Sequence, residues 1–125
     1  MRKLIIVQAR MGSSRLPGKV LKEVCGKTLL EHLIVRLRRV KQVDNIVIAT
    51  TIKEQDNQIV DLCIKINTPF YRGSEDDVLS RYYETALKDR ADLVIRVTGD
   101  CPLIDPQIID RIITYYIDNK NSVDY

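Results

Sequence analysis

Tryptophan is absent from this 125-residue sequence and phenylalanine occurs once, leaving six tyrosines. No aromatic platform is therefore interleaved with the basic residues for bases to stack on. Charge of one sign is also scarce. The balance of 20 Lys+Arg against 17 Asp+Glu, net +3, is too small to mark a nucleic-acid surface. Near the start the longest apolar run is Leu4-Ile5-Ile6-Val7, too short for the core of a signal peptide and far too short to span a bilayer. The expected partners thus include no nucleic acid and no membrane, and a cytoplasmic location is the default. Cys25, Cys63 and Cys101 form no Cys-x-x-Cys pair and are odd in number, which fits reduced structural thiols. The five glycines, at 12, 18, 26, 73 and 99, nowhere form Gly-x-Gly-x-x-Gly, so the dinucleotide fingerprint behind much hydride chemistry is missing. His32, the only histidine, stands inside a helical pattern, where a surface or packing role is expected.

What is present is an alternation of strand and helix. Leu4–Val7, Ile46–Ala49 and Leu93–Ile95 are short continuous apolar runs, the pattern of strands buried on both faces of a parallel sheet. Leu29, Leu30, Leu33, Ile34, Leu37 and Val40 recur at helical spacing, as do Ile59, Leu62, Cys63 and Ile66 after a polar stretch, Lys53 to Gln58. Phe70-Tyr71-Arg72 reads as a further strand, with Ser74 as the cap of a third helix whose buried stripe is Val78, Leu79, Tyr82, Tyr83, Ala86 and Leu87. Asp105 before Pro106 caps a fourth helix carrying Ile108, Ile109, Ile112, Ile113, Tyr116 and Ile117. Of the pairs Tyr82-Tyr83 and Tyr115-Tyr116, one member is expected in the core. The order implies a doubly wound α/β fold, a mostly parallel sheet with helices on both faces. Ligands of such folds sit beyond the carboxyl ends of the strands.

Two loops there carry candidate chemistry. Gln8 to Lys19 gathers Arg10, Arg15 and Lys19 with Ser13, Ser14 and two glycines, in outline a cradle for a polyphosphate. The bland alternative is a solvated basic loop. It is not a Walker A loop, because five residues instead of four stand between Gly12 and Gly18-Lys19 and Val20 replaces the magnesium-binding hydroxyl. The second loop, Thr98-Gly99-Asp100-Cys101-Pro102-Leu103-Ile104-Asp105-Pro106, offers Asp100 as a magnesium ligand or as a turn residue, with Cys101 a packing residue.

The run IVQARMGSSRLPGKVL from Ile6 to Leu21 resembles the opening of the cytidylyltransferases that activate acidic sugars, particularly the group of spore coat polysaccharide biosynthesis protein F. The segments Arg72 to Tyr82 and Arg96 to Pro106 match the same group in the same order. The resemblance implies a GT-A-like domain in which Arg10, Arg15 and Lys19 hold the triphosphate and the backbone around Ala9 lies near cytosine. Gly12, Ser13, Thr98 and Gly99 would complete the nucleotide site. Asp100 would bind magnesium (Mg2+), and Arg72 and Ser74 would flank the nucleotide, though Ser74 serves equally as a helix cap.

The implied activity is transfer of CMP from CTP to an acidic sugar for surface polysaccharide synthesis, with Arg10, Lys19 and Asp100 as catalytic residues. The alternative is a non-catalytic nucleotide-binding or regulatory module. A receiver-like phosphoacceptor would need acids after the first strand, where Gln8 and Arg10 stand. Members of the family are about twice as long, so residues 1–125 are expected to be the nucleotide-binding part, without the half that supplies most of the sugar pocket. The uncovered final strand then leads to an expectation of self-association.

Overall fold

The computed structural model describes residues 1–12, 17–99 and 104–119. Four parallel strands, β1 (Lys3–Gln8), β4 (Asn45–Thr51), β5 (Phe70–Gly73) and β6 (Leu93–Thr98), form one sheet in the order β5-β4-β1-β6. A short antiparallel ribbon, β2 (Glu23–Val24) with β3 (Lys27–Thr28), precedes α1 (Leu29–Leu37). The remaining helices are α2 (Asn57–Lys65), α3 (Val78–Asp89) and α4 (Pro106–Asp118). Successive crossovers move outward from β1 to β4 and β5, and the next returns past β1 to β6. That reversal is the reason helices occupy both faces.

Strand alternation separates two cores. Ile5, Val7, Ile48 and Val97 meet Leu33, Ile34 and Leu37 of α1, Ile59 and Cys63 of α2, and Ile109 and Ile113 of α4. Leu4, Ile6, Val47 and Ala49 on the opposite face meet α3 through Tyr82. Burial of apolar side chains on both sides explains why β1 reads as an unbroken hydrophobic run. β6 differs: it is an edge strand, with Leu93, Val94 and Ile95 only half-buried and Arg96 exposed.

Local chemistry sets most helix starts. Thr28 accepts a hydrogen bond from the Glu31 amide at 3.1 Å, and Asp105 accepts from the Gln107 amide at 2.9 Å with Pro106 in the first turn. The cap of α3 is Asp77, which accepts from the Ser80 amide at 2.9 Å, so Ser74 does not fill the capping role expected of it. Asp77 is the residue directly before the first helical turn, whereas Ser74 is still in the segment leaving β5.

The stripe expected on α3 is also corrected. Tyr82 is buried, but Leu79, Tyr83 and Leu87 are 71%, 66% and 64% exposed, while Arg81 and Thr85 are buried. Two apolar rows run along this helix, and only one can face the sheet. On α4, Ile109 and Ile113 are buried and Ile108 and Ile112 are exposed. The tyrosine pairs divide as expected, Tyr82 inward and Tyr83 outward, Tyr116 half-buried and Tyr115 exposed.

The ribbon turns on Cys25-Gly26, with φ of 54° and 82°, the two left-handed residues of a type I′ hairpin. His32 fastens this ribbon to α1 by donating from Nε2 to the Val24 carbonyl at 2.6 Å. Arg36 donates to the Ile104 carbonyl and Arg38 to the Ile66 carbonyl, so these arginines tie loops together. No helix among the described residues is long and apolar enough to cross a membrane.

Candidate functional site

The reversal in the sheet lies between β1 and β6, and both candidate loops leave from it. Gln8 pairs with Thr98, the last residue of each strand. The Gly99 amide then donates to the Gln8 carbonyl at 2.8 Å. A Cβ at Gly99 would stand 2.9 Å from that carbonyl oxygen and 3.2 Å from the Ala9 Cβ. Glycine is therefore required for the two strand exits to lie this close.

The basic loop is pinned at its base by three interactions. The Ala9 amide, buried, donates to the Ala49 carbonyl at 3.1 Å, and the Met11 amide donates to Asp56 Oδ1 at 2.7 Å. Gly18, at φ 75°, donates its amide to the Met11 carbonyl at 2.8 Å and closes the neck of the loop. Lys19 follows as the first residue of a short 3-10 turn, Lys19–Leu21. Arg10 is half-buried, and Gly12 packs close to Gln55, whose Nε2 would lie 3.0 Å from an added Cβ. Ser13, Arg15, Asp100 and Cys101 lie outside the described residues.

Asp56 is the residue that sequence reasoning missed. It is fully buried, and its second oxygen accepts from the Thr51 hydroxyl, so one carboxylate joins the exits of β1 and β4. In the sequence it is one acid in the polar stretch before α2, with nothing to separate it from Glu54. Arg72 is occupied in the same way: its guanidinium donates to the carbonyls of Thr51 and Lys53 and to Asn57 Oδ1, at 2.8, 2.9 and 2.8 Å. It braces the exits of β4 and β5. Ser74 is exposed, and Lys53 reaches Glu75 at 3.0 Å.

Arg81 of α3 lies beneath these exits, 1% exposed, and donates from Nη1 to the carbonyls of Ser74 and Glu75 at 2.6 and 2.8 Å. Burial, and after it the charge of Arg10, holds its pKa below the ordinary arginine value. The structure thus brings Ala9, Arg10, Gly12, Lys19, Thr98 and Gly99 to one end of the sheet, with Arg72 and Ser74 one strand beyond β4. Among the described residues no group of three or more His, Cys, Asp or Glu side chains is placed to hold a metal ion.

The parallel sheet that reverses at β1, with Arg10, Lys19 and Gly99 at the reversal, has the α/β nucleotidyltransferase fold. The family model described as Cytidylyltransferase matches residues 4–125, and the chain belongs to that family. It is 41% identical over 126 residues to the spore coat polysaccharide biosynthesis protein SpsF of Bacillus subtilis, covering 98% of this chain and 52% of that protein. A cytidylyltransferase structure from Leptospira borgpetersenii superposes with a TM-score of 0.91 at 37% identity, over 95% of this chain and 50% of the other. CMP:2-keto-3-deoxy-manno-octonic acid synthetase complexed with CTP superposes with a TM-score of 0.86 at 28% identity, over 96% and 49%. The chain spans about half the length of the relatives it matches.

Proposed function

We propose that this chain provides the nucleotide-binding part of an enzyme that transfers CMP from CTP to the hydroxyl of an acidic sugar and releases pyrophosphate. The observation that carries the reading is the closure of β1 against β6, through Gln8, Thr98 and the 2.8 Å bond from Gly99. It puts the exit carrying Arg10 and Lys19 beside the one that leads into Asp100. A solved relative that binds CTP supports the choice of nucleotide.

In-line attack of a sugar hydroxyl on the α-phosphorus requires alignment and neutralisation of the leaving pyrophosphate, with no covalent intermediate on the protein. Arg10 and Lys19, with Arg15, supply the positive charge. Asp56 and Gly18 hold the neck of the loop at Met11, next to Arg10 and Lys19. Ala9, kept on the ladder by Ala49, presents backbone to the base. Asp100 would hold magnesium: a carboxylate next to phosphate oxygens suits a hard cation that takes oxygen ligands. When bound, the ion would offset charge on the phosphates.

The test is pyrophosphate release from CTP with a panel of sugar acids, in a protein that also contains the region matching the other half of its relatives. Lys19→Ala and Asp100→Asn are each expected to lower the rate by ~100-fold or more. Near-normal rates would end the assignment.

A further inference from the structure

The guanidinium of Arg81 has only one of its three nitrogens in hydrogen bonds. Nη1 serves the Ser74 and Glu75 carbonyls, whereas Nε and Nη2 are buried and have no partner among the described residues. Those two nitrogens carry the parallel N–H bonds of one edge of the group, the fork that matches two oxygens of a carboxylate or phosphate. Leaving a pair of charged donors buried and unsatisfied is costly, and native structures rarely tolerate it without a functional reason.

The surroundings are built for this side chain. A Cβ at Gly73 would lie 3.1 Å from Arg81 Cγ and 3.7 Å from its Cδ, so the glycine makes room for the arginine stem. Arg10 is near enough to repel it, and Arg96 from β6 stacks on the ring of the adjacent Tyr82 at 4.4 Å. Three arginines from three elements thus gather on the α3 side of the strand ends. The acids within influence, Asp56 and Glu75, are already engaged by Met11 and Thr51 and by Lys53. What Arg81 lacks, among the described residues, is acceptor atoms for its Nε–Nη2 edge, a fork that the two oxygens of one anionic group would fill.

We propose that the free edge of Arg81 is the docking point for a two-oxygen anionic group of a substrate, a phosphate of the nucleotide or the carboxylate of the acceptor, which reaches it when the Ser74–Glu75 segment lifts. The inference rests on the function proposed above and assigns a residue to anion recognition that the basic loop does not contain.

Calorimetric titrations with CTP, cytidine, pyrophosphate and 3-deoxy-manno-octulosonate, on a protein that also contains the region matching the other half of its relatives, test it, using Arg81→Lys, Arg81→Met and Arg10→Ala. Lysine keeps the charge and cannot form the fork, so both Arg81 variants are expected to lose about 10- to 100-fold in affinity for the anion concerned. Loss for CTP and pyrophosphate with cytidine unchanged identifies the phosphate, and loss confined to the sugar acid identifies the carboxylate. Affinities within twofold of wild type in Arg81→Lys overturn the proposal, as does an equal loss for cytidine. If those same titrations show Arg10→Ala weakening CTP, the function survives and only the role of Arg81 fails. A wild-type chain that binds no probe overturns both. Should Arg81→Met fail to melt cooperatively, Arg81→Lys decides alone, and failure of both shows a purely structural cation and overturns the proposal.

Discussion

The carboxylate of Asp56 receives the amide of Met11 at 2.7 Å across 45 residues of sequence. Because the same group also accepts from Thr51, one buried acid decides where the basic loop begins relative to β4. Removing it leaves two donors in the interior with nothing to bind.

Asp56→Ala is therefore expected to cost about 2 to 4 kcal/mol of stability, the range for an orphaned buried network. Urea denaturation measures it. In the same variant CTP affinity should fall further than in a control of similar instability outside the site, such as Ile113→Ala; equal affinity in wild type and Asp56→Ala contradicts the positioning role.

Gly99→Ala probes the closure of β1 on β6. Its new Cβ would sit 2.9 Å from the Gln8 carbonyl oxygen, which belongs to rigid backbone. The strand exits must part, at an expected cost of roughly 1–3 kcal/mol. A melting temperature matching wild type shows that the exits yield freely.

The two described cysteines should differ in reactivity. Burial pushes the Cys63 thiol up to about 12, while Cys25 is exposed at the ribbon turn. Under native conditions at pH 8, iodoacetamide followed by peptide mass mapping should mark Cys25 and spare Cys63 until denaturant is added. Prompt native labelling of Cys63 contradicts the packing of α2.

Acid sensitivity follows from Asp89. Burial alone raises its pKa, but hydrogen bonds from Arg2 at 2.9 Å and Asn45 at 2.9 Å, with the charge of Arg2, more than reverse this and hold it below the ordinary aspartate value. A carboxyl whose folded pKa is depressed contributes stability above its unfolded pKa, near ~3.9, and loses it as pH falls through the folded pKa. Wild type should exceed Asp89→Asn in urea midpoint by a constant margin from pH 5 to 8, and the margin should shrink below pH ~4. A margin that persists to pH 2 assigns the effect to something other than ionisation.

The edge at β6 bears on assembly. Leu93, Val94 and Ile95 line a groove with Ile112 and Tyr116, and Ile112 is 57% exposed. An apolar groove along the edge strand of the described sheet favours addition of another chain. Light scattering over a concentration series should show self-association, weakened by Ile112→Lys. A strict monomer at all concentrations removes the argument.

The strands β1, β4 and β6, the four helices and the Asp105 cap were all readable in the sequence, because each depends on residues within a few positions of one another. Apolar runs report burial on both faces, and 3.6-residue spacing reports an amphipathic helix, whatever lies across from it. The placing of Arg10 just past β1 and of Gly99 just past β6 was readable for the same reason. Which of the two apolar rows on α3 turns inward was not, since Leu79-Tyr83-Leu87 and Val78-Tyr82-Ala86 have equal periodicity and only the position of the sheet chooses between them. Nor could the sequence distinguish Asp56 from Glu54 or Arg81 from any helical arginine. Their roles come from partners brought close by reversal of the sheet: Met11 for Asp56, and Arg10 with the Ser74–Glu75 carbonyls for Arg81. Local patterning settles which elements form; the geometry with which distant elements pack decides which polar groups become buried, and with whom.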